Sequence, residues 1–122
     1  MSETPAQILS ALRDVGGVQG SFLLQDDGSL VARDLGALLN EELLTEIAPR
    51  LLRLCDTFGG DTAPVTSCSL RFADLLLFMR PTPGGLVCAV STLDVNMPAL
   101  KMAVNLTARR LAPHFAPAAR LR

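Results

Sequence analysis

The longest patterned stretch of this chain is 40–58, NEELLTEIAPRLLRLCDTF. At about 100° per residue, Glu42, Glu46, Arg50, Arg53 and Asp56 fall on one narrow arc. Leu43, Leu44, Ile47, Ala48, Leu51, Leu52, Leu54, Cys55 and Phe58 fill the rest. That apolar arc spans about 180°, whereas a helix lying on one core needs somewhat more than about 100°. The pattern predicts one amphipathic helix with two apolar neighbours, its own sheet and something else. A deeply set core helix is the plainer reading; a dimerisation helix accounts for the surplus. Asn40 suits the cap, and Glu41 and Glu42 favour the positive end of the helix dipole. Pro49 lacks the N–H that would bond the carbonyl of Thr45 and crowds that carbonyl. It predicts a kink, or two helices meeting at Ala48–Pro49.

Two shorter helices flank the pattern. Thr4-Pro5-Ala6-Gln7 reads as a capping box with proline in the first turn. Ile8, Leu9, Leu12 and Val15 form its stripe, and Gly16-Gly17 ends it. Near the other end Asn96 caps a helix whose buried side is Leu100, Ala103, Val104, Ala108 and Leu111. Lys101, Asn105 and Arg109 form its wet side, and Pro113 stops it.

Strand patterns fill the intervals. In 18–25, Val18, Gly20, Phe22 and Leu24 face one way, and Ser21 and Leu23 the other. Asp26-Asp27-Gly28 is a turn and 30–33 the return strand. Residues 64–72 alternate, with Thr66, Cys68, Leu70 and Phe72 against Val65, Ser67, Ser69 and Arg71. A half-polar strand opened by a proline suits a sheet edge. Residues 75–80 and 86–90 are almost wholly apolar, with a turn over 81–85. Such strands belong to an antiparallel sheet covered on both faces. The expected fold is α+β in the order α-β-β-α-β-β-β-α. Its five-stranded antiparallel sheet carries the two outer helices on one face and the long middle helix on the other.

Composition narrows the classes. One domain is expected over 1–116, with a short basic tail over 117–122. No apolar run reaches the length of a membrane span, and no basic leader precedes a small-residue cleavage site. Eleven Lys and Arg against twelve Asp and Glu leave no electrostatic footprint for nucleic acid. Cys55, Cys68 and Cys88 have no metal-ligand spacing and read as small buried hydrophobes in a reducing compartment. The cytoplasm is the default location.

The chemistry of an enzyme is missing from the pattern. His114 lies beyond the last helix with no nucleophile and acid spaced to join it. No phosphate-cradling G-x-x-x-x-G-K-[ST] occurs. Asp26-Asp27 and Glu41-Glu42 are explained as a turn and a helix start, and the D-D-G turn lacks the ligands of a calcium loop. No cofactor, metal or catalytic residue is expected.

The order of elements resembles the Roadblock/LC7 family. Val15-Gly16-Gly17-Val18-Gln19-Gly20-Ser21-Phe22-Leu23-Leu24 is similar to its v-x-G-v-x-G-a-v-l-v opening, and Asp27-Gly28 to its hairpin turn. Residues 75–81 followed by Gly84-Gly85-Leu86-Val87 resemble its last hairpin. The resemblance implies a profilin-like fold and a non-enzymatic module that dimerises through the middle helix and third strand. Carried over, the interface falls on Leu44, Leu51 and Cys55 of the helix and on Val65, Thr66, Ser67, Cys68, Ser69 and Leu70 of the strand. It further implies partners: a small Ras-like GTPase, a second Roadblock protein or a receiver-domain protein. The bacterial Mgl-type branch regulates polarity in gliding cells, with recruitment to the cell poles. Some of its members accelerate GTP hydrolysis, and the activator extends past the last helix, where this chain has little. An adaptor is therefore expected ahead of a GTPase activator. The exposed arc of Glu42, Glu46, Arg50 and Arg53 is the candidate partner surface. Its plainer reading is a solvated face with i,i+3 and i,i+4 ion pairs. The reading from another class is a ligand sensor of the PAS or profilin-like kind, which needs a pocket with convergent polar groups.

Overall fold

The computed structural model describes residues 4–25, 27–34, 41–59, 67–72, 74–82 and 85–114. The elements are α1 (Pro5–Ser10), β1 (Val18–Gln25), β2 (Leu30–Asp34), α2 (Glu41–Gly59), β3 (Cys68–Phe72), β4 (Leu75–Thr82), β5 (Gly85–Thr92) and α3 (Met97–Leu111). Short 3-10 turns follow α1 (Ala11–Asp14) and α3 (Ala112–His114). The strands form one antiparallel sheet in the order β2-β1-β5-β4-β3. This is the expected α+β order, with β3 and β2 at its two edges.

Alternation along the strands divides the core in two. Leu23, Phe78, Val87 and Ala89 join Leu9 of α1 and Leu100, Val104 and Leu111 of α3. On the other face Phe22, Leu24, Leu77, Met79, Leu86 and Cys88 meet Ala48 and Leu51 of α2. The outer helices thus cover one face and the middle helix the other. No helix among the described residues is long and apolar enough to cross a membrane.

Local chemistry sets the ends. Gln7 N–H donates to Thr4 Oγ1 at 3.2 Å and Thr4 N–H to Gln7 Oε1 at 2.8 Å, the reciprocal box expected for α1. The α-helix gives way to 3-10 geometry at Ala11, sooner than the apolar stripe predicts. Ala99 N–H donates to Asn96 Oδ1 at 3.1 Å and starts α3. Gly17 has φ +99°, and its carbonyl accepts from Thr92 N–H at 2.9 Å, which fastens the start of β1 to the end of β5. Ser21, fully buried, donates through Oγ to the carbonyl of Leu9 at 3.3 Å.

Two expectations need correction. Val18 packs on the α1–α3 side with Leu23, not with Phe22. A bulge against β5 between Val18 and Gly20 adds one residue and reverses the face. β4 does not end at Arg80: Pro81 pairs with Leu86 and Thr82 with Gly85, and β5 runs on to Thr92. Among the described residues β3 pairs with β4 from Phe72–Leu75 to Cys68–Met79, and Pro81, which has no N–H to donate, lies beyond that stretch. α2 runs through Pro49 as one helix, the first of the two outcomes expected there.

Candidate dimer interface

The surplus apolar surface of α2 has a definite place. Ala48 is fully buried and Leu51 is 6% exposed, both against the subunit's own sheet. Ile47, Leu52 and Leu54 are only half-buried. Ile47, Leu51 and Leu54 recur one turn apart on one side of the helix, as three- and four-residue spacing requires. They form one wall of an open groove of about 570 Å³, with Leu70 of β3 and Leu77 of β4 completing it. Arg50 and Arg71 are the polar members of that lining.

The β-register explains the strand side. Cys68 stands opposite Met79 and Leu70 opposite Leu77, so Cys68 and Leu70 turn toward α2. Both are half-buried, while Ser69 and Arg71 are exposed. β3 ends the strand order, and among the described residues no strand pairs with its outer side. A groove of leucines beside an open strand edge leaves both apolar side chains and backbone hydrogen-bonding groups to be satisfied.

The residues named from sequence are distributed unevenly. Leu51 and Leu70 come together in the groove, and Cys68 lies on the same face. Ser67 is half-buried just before β3. Leu44 and Cys55 belong to α2, but their side chains, like Val65 and Thr66, lie outside the described residues. So does the side chain of His114. Leu54, Leu77 and Arg71 join Leu51 and Leu70 in the groove, Leu54 through helical spacing from Leu51 and Leu77 through its cross-strand pairing with Leu70.

Glu42, Glu46, Arg50 and Arg53 are all exposed along α2, the arc expected for them. Among the described residues Glu46 and Arg50 form no ion pair. The pair recorded is Arg13–Asp34 at 2.7 Å, which joins the turn after α1 to β2. Arg53 Nε donates to the carbonyl of Pro49 at 3.4 Å.

Comparison with solved structures places this architecture. The Roadblock/LC7 domain from Streptomyces avermitilis superposes with a TM-score of 0.79 at 16% identity, over 89% of this chain and 95% of that one. Myxococcus xanthus MglB gives 0.74 at 14%, covering 89% and 92%. MglC from Myxococcus xanthus gives 0.68 at 17%, covering 89% and 97%. No family model matches the sequence, and no curated protein matches it. The chain has the Roadblock/LC7 fold, and its structural neighbours include MglB and MglC, as the sequence resemblance implied.

Proposed function

We propose that this chain is a homodimeric Roadblock-type adaptor or regulator in a bacterial Ras-like GTPase polarity and motility module. It acts as a single domain in the cytoplasm, without catalytic residues of its own. The observation that carries this reading is the groove between α2 and the open edge of β3. A second copy offers the same leucines and the same strand edge, and a two-fold axis brings each into register with its counterpart. Pairing β3 with its counterpart continues one sheet across both subunits. The likeness to MglB and MglC supports the module. The partners are another Roadblock protein, the GTPase, or a receiver-domain protein, with recruitment to the cell poles through them.

Sedimentation velocity at micromolar concentration tests the dimer; a monomer overturns it. Incubation with the cognate GTPase tests the adaptor role against that of an activator. No change in hydrolysis by this protein alone is the expected result, and clear acceleration overturns it.

The same groove supports one rival, a ligand sensor. Its volume of about 570 Å³ suits a small molecule. Among the described residues its lining offers only Arg50 and Arg71 as polar groups, and it is open rather than enclosed, which favours a protein occupant. A monomer that retains a bound small molecule on purification would replace the dimer reading with the sensor.

A further inference from the structure

The sheet is wider than one helix. Its five strands, spaced at about 4.8 Å, span about 19 Å, and a helix with its side chains is about 10 Å across. α2, the helix that covers its face of the sheet among the described residues, therefore leaves a gap. The gap falls at one edge, where Leu70 of β3 and Leu77 of β4 line the groove. Toward the other edge α2 meets the turn between β1 and β2.

Gly28 sits in that turn with φ +88°. A Cβ added to it would lie 3.6 Å from Pro49 Cγ and 3.9 Å from Leu52 Cδ1, so the turn rests on α2 at these two residues. The turn is held by bonds of its own. Gly28 N–H donates to the Gln25 carbonyl and Gln25 N–H to the Ser29 carbonyl, each at 2.9 Å. Ser29 donates to Asp27 Oδ1 through its N–H at 2.9 Å and its hydroxyl at 2.6 Å. Leu30, which opens β2, packs on the same core as Leu52.

The two sides of α2 are thus engaged differently. At about 100° per residue, Pro49 and Leu52 fall on one flank and Ile47 and Leu54 on the other. Ala48 and Leu51 lie between them against the sheet. The first flank touches the turn at the β2 end of the strand order, and the second walls the groove at the β3 end. A proline inside a helix lowers the stability of that helix; here its rigid ring is what meets the turn.

Resting on the dimer reading for its purpose, we propose that the β1–β2 turn is a brace: Gly28 against Pro49 keeps α2 off β3 and so holds the groove open for the second copy. Gly28 and Pro49 are positioning residues, on the flank away from the groove. Without the brace α2 is drawn over Leu70 and Leu77, because burying apolar surface is favourable. The subunit then covers its own leucines and offers less surface to the second copy. Dimer affinity falls while monomer stability does not. A contact that only stabilises the subunit would not separate the two.

The test uses the full chain. Pro49→Ala removes the ring and restores a helix N–H. Sedimentation should give a dimer dissociation constant raised by about fivefold, whereas the urea midpoint of the monomer, measured in a Leu54→Asp background, should not fall. Asp27→Ala takes both Ser29 bonds from the turn and leaves the helix untouched; it should weaken the dimer in the same direction. Methyl NMR of the Leu54→Asp monomer gives a readout independent of the dimer: NOEs between Leu51 and Leu70 should strengthen on Pro49→Ala. A Pro49→Ala dimer as tight as the parent, with those NOEs unchanged, would overturn the brace. So would a dimer weakened only in step with the stability of the monomer. A parent chain that sediments as a monomer loses the dimer reading alone; strengthened NOEs then support the brace and unchanged ones overturn it.

Discussion

Leu51 of α2 and Leu70 of β3 line one groove, the first from the helix and the second from the edge strand. They differ in how much each owes to its own subunit. Leu51 is 6% exposed and belongs to the core, whereas Leu70 is half-buried. Leu54 resembles Leu70 in this respect. Burying one leucine is worth about 1.5–3 kcal/mol, and a carboxylate in an apolar contact costs more. Leu54→Asp should therefore convert the dimer to monomer while the urea midpoint of the monomer changes little. Leu51→Asp should dissociate the dimer and also destabilise the subunit. Sedimentation velocity and urea unfolding measure the two effects separately. A Leu54→Asp protein that still sediments as a dimer moves the interface elsewhere.

Gly17 makes a second, independent demand. Its φ of +99° is one that a side chain rarely adopts, and a Cβ there would lie 2.7 Å from Thr92 Oγ1. Thr92 is not at liberty to turn away, since its hydroxyl donates to Asp94 Oδ1 at 2.6 Å. The backbone conformation alone costs about 1–2 kcal/mol for a residue with a Cβ, and the clash adds to it. Gly17→Ala should lower the urea midpoint by more than the backbone term. Gly17→Ala in a Thr92→Ala background should cost less than in the parent, because the clash is gone and the backbone strain stays. Equal costs in both backgrounds would show that the steric contact does not form.

The middle helix, the capping box at Thr4, the cap at Asn96 and the separation of the two sheet faces were legible in the sequence. Each depends on neighbours within a turn or on strict alternation. Where the reading failed, a distant strand decided the matter. Val18 changes face because β5 is paired across a bulge, and Pro81 stays in β4 because it pairs with Leu86 of β5. Neither fact has a local signature. Half of the candidate interface was legible for the same reason: Leu51 follows from helical spacing, but Leu77 joins it only through the register that sets it opposite Leu70.

The β1–β2 turn carries a pH dependence of predictable sign. The Ser29 hydroxyl donates to Asp27 Oδ1 at 2.6 Å and the Ser29 N–H at 2.9 Å. These bonds, the hydroxyl's first, hold the Asp27 carboxyl below the ordinary aspartate value. A depressed folded-state pKa contributes stability that is fully present above the unfolded value and is lost as pH falls through the folded one. The carboxylate is fully exposed, so solvent screening keeps the effect on global unfolding small. Side-chain carboxyl NMR is the suitable measurement. Asp27 should titrate below the ordinary range, and Ser29→Ala should move it upward. An unchanged midpoint in Ser29→Ala would remove the hydroxyl as the main cause.

At Thr4 the two halves of the capping box are unequal in consequence. Thr4 Oγ1 satisfies Gln7 N–H, one of the first-turn donors that the helix itself leaves unpaired. Gln7 Oε1 takes up Thr4 N–H, which is exposed and has water as an alternative. α1 runs only from Pro5 to Ser10, too short to persist without its cap and its contacts with the sheet. Its buried anchors are Ile8 and Leu9. Thr4→Ala should therefore lower global stability by about 1 kcal/mol, and Thr4→Ser should restore most of it. Gln7→Ala should cost only a fraction as much. Urea unfolding gives the magnitudes, and amide hydrogen exchange at Gln7 locates the effect. Exchange at Gln7 that is no faster in Thr4→Ala than in the parent would show that packing at Ile8 and Leu9, not the cap, holds the first turn.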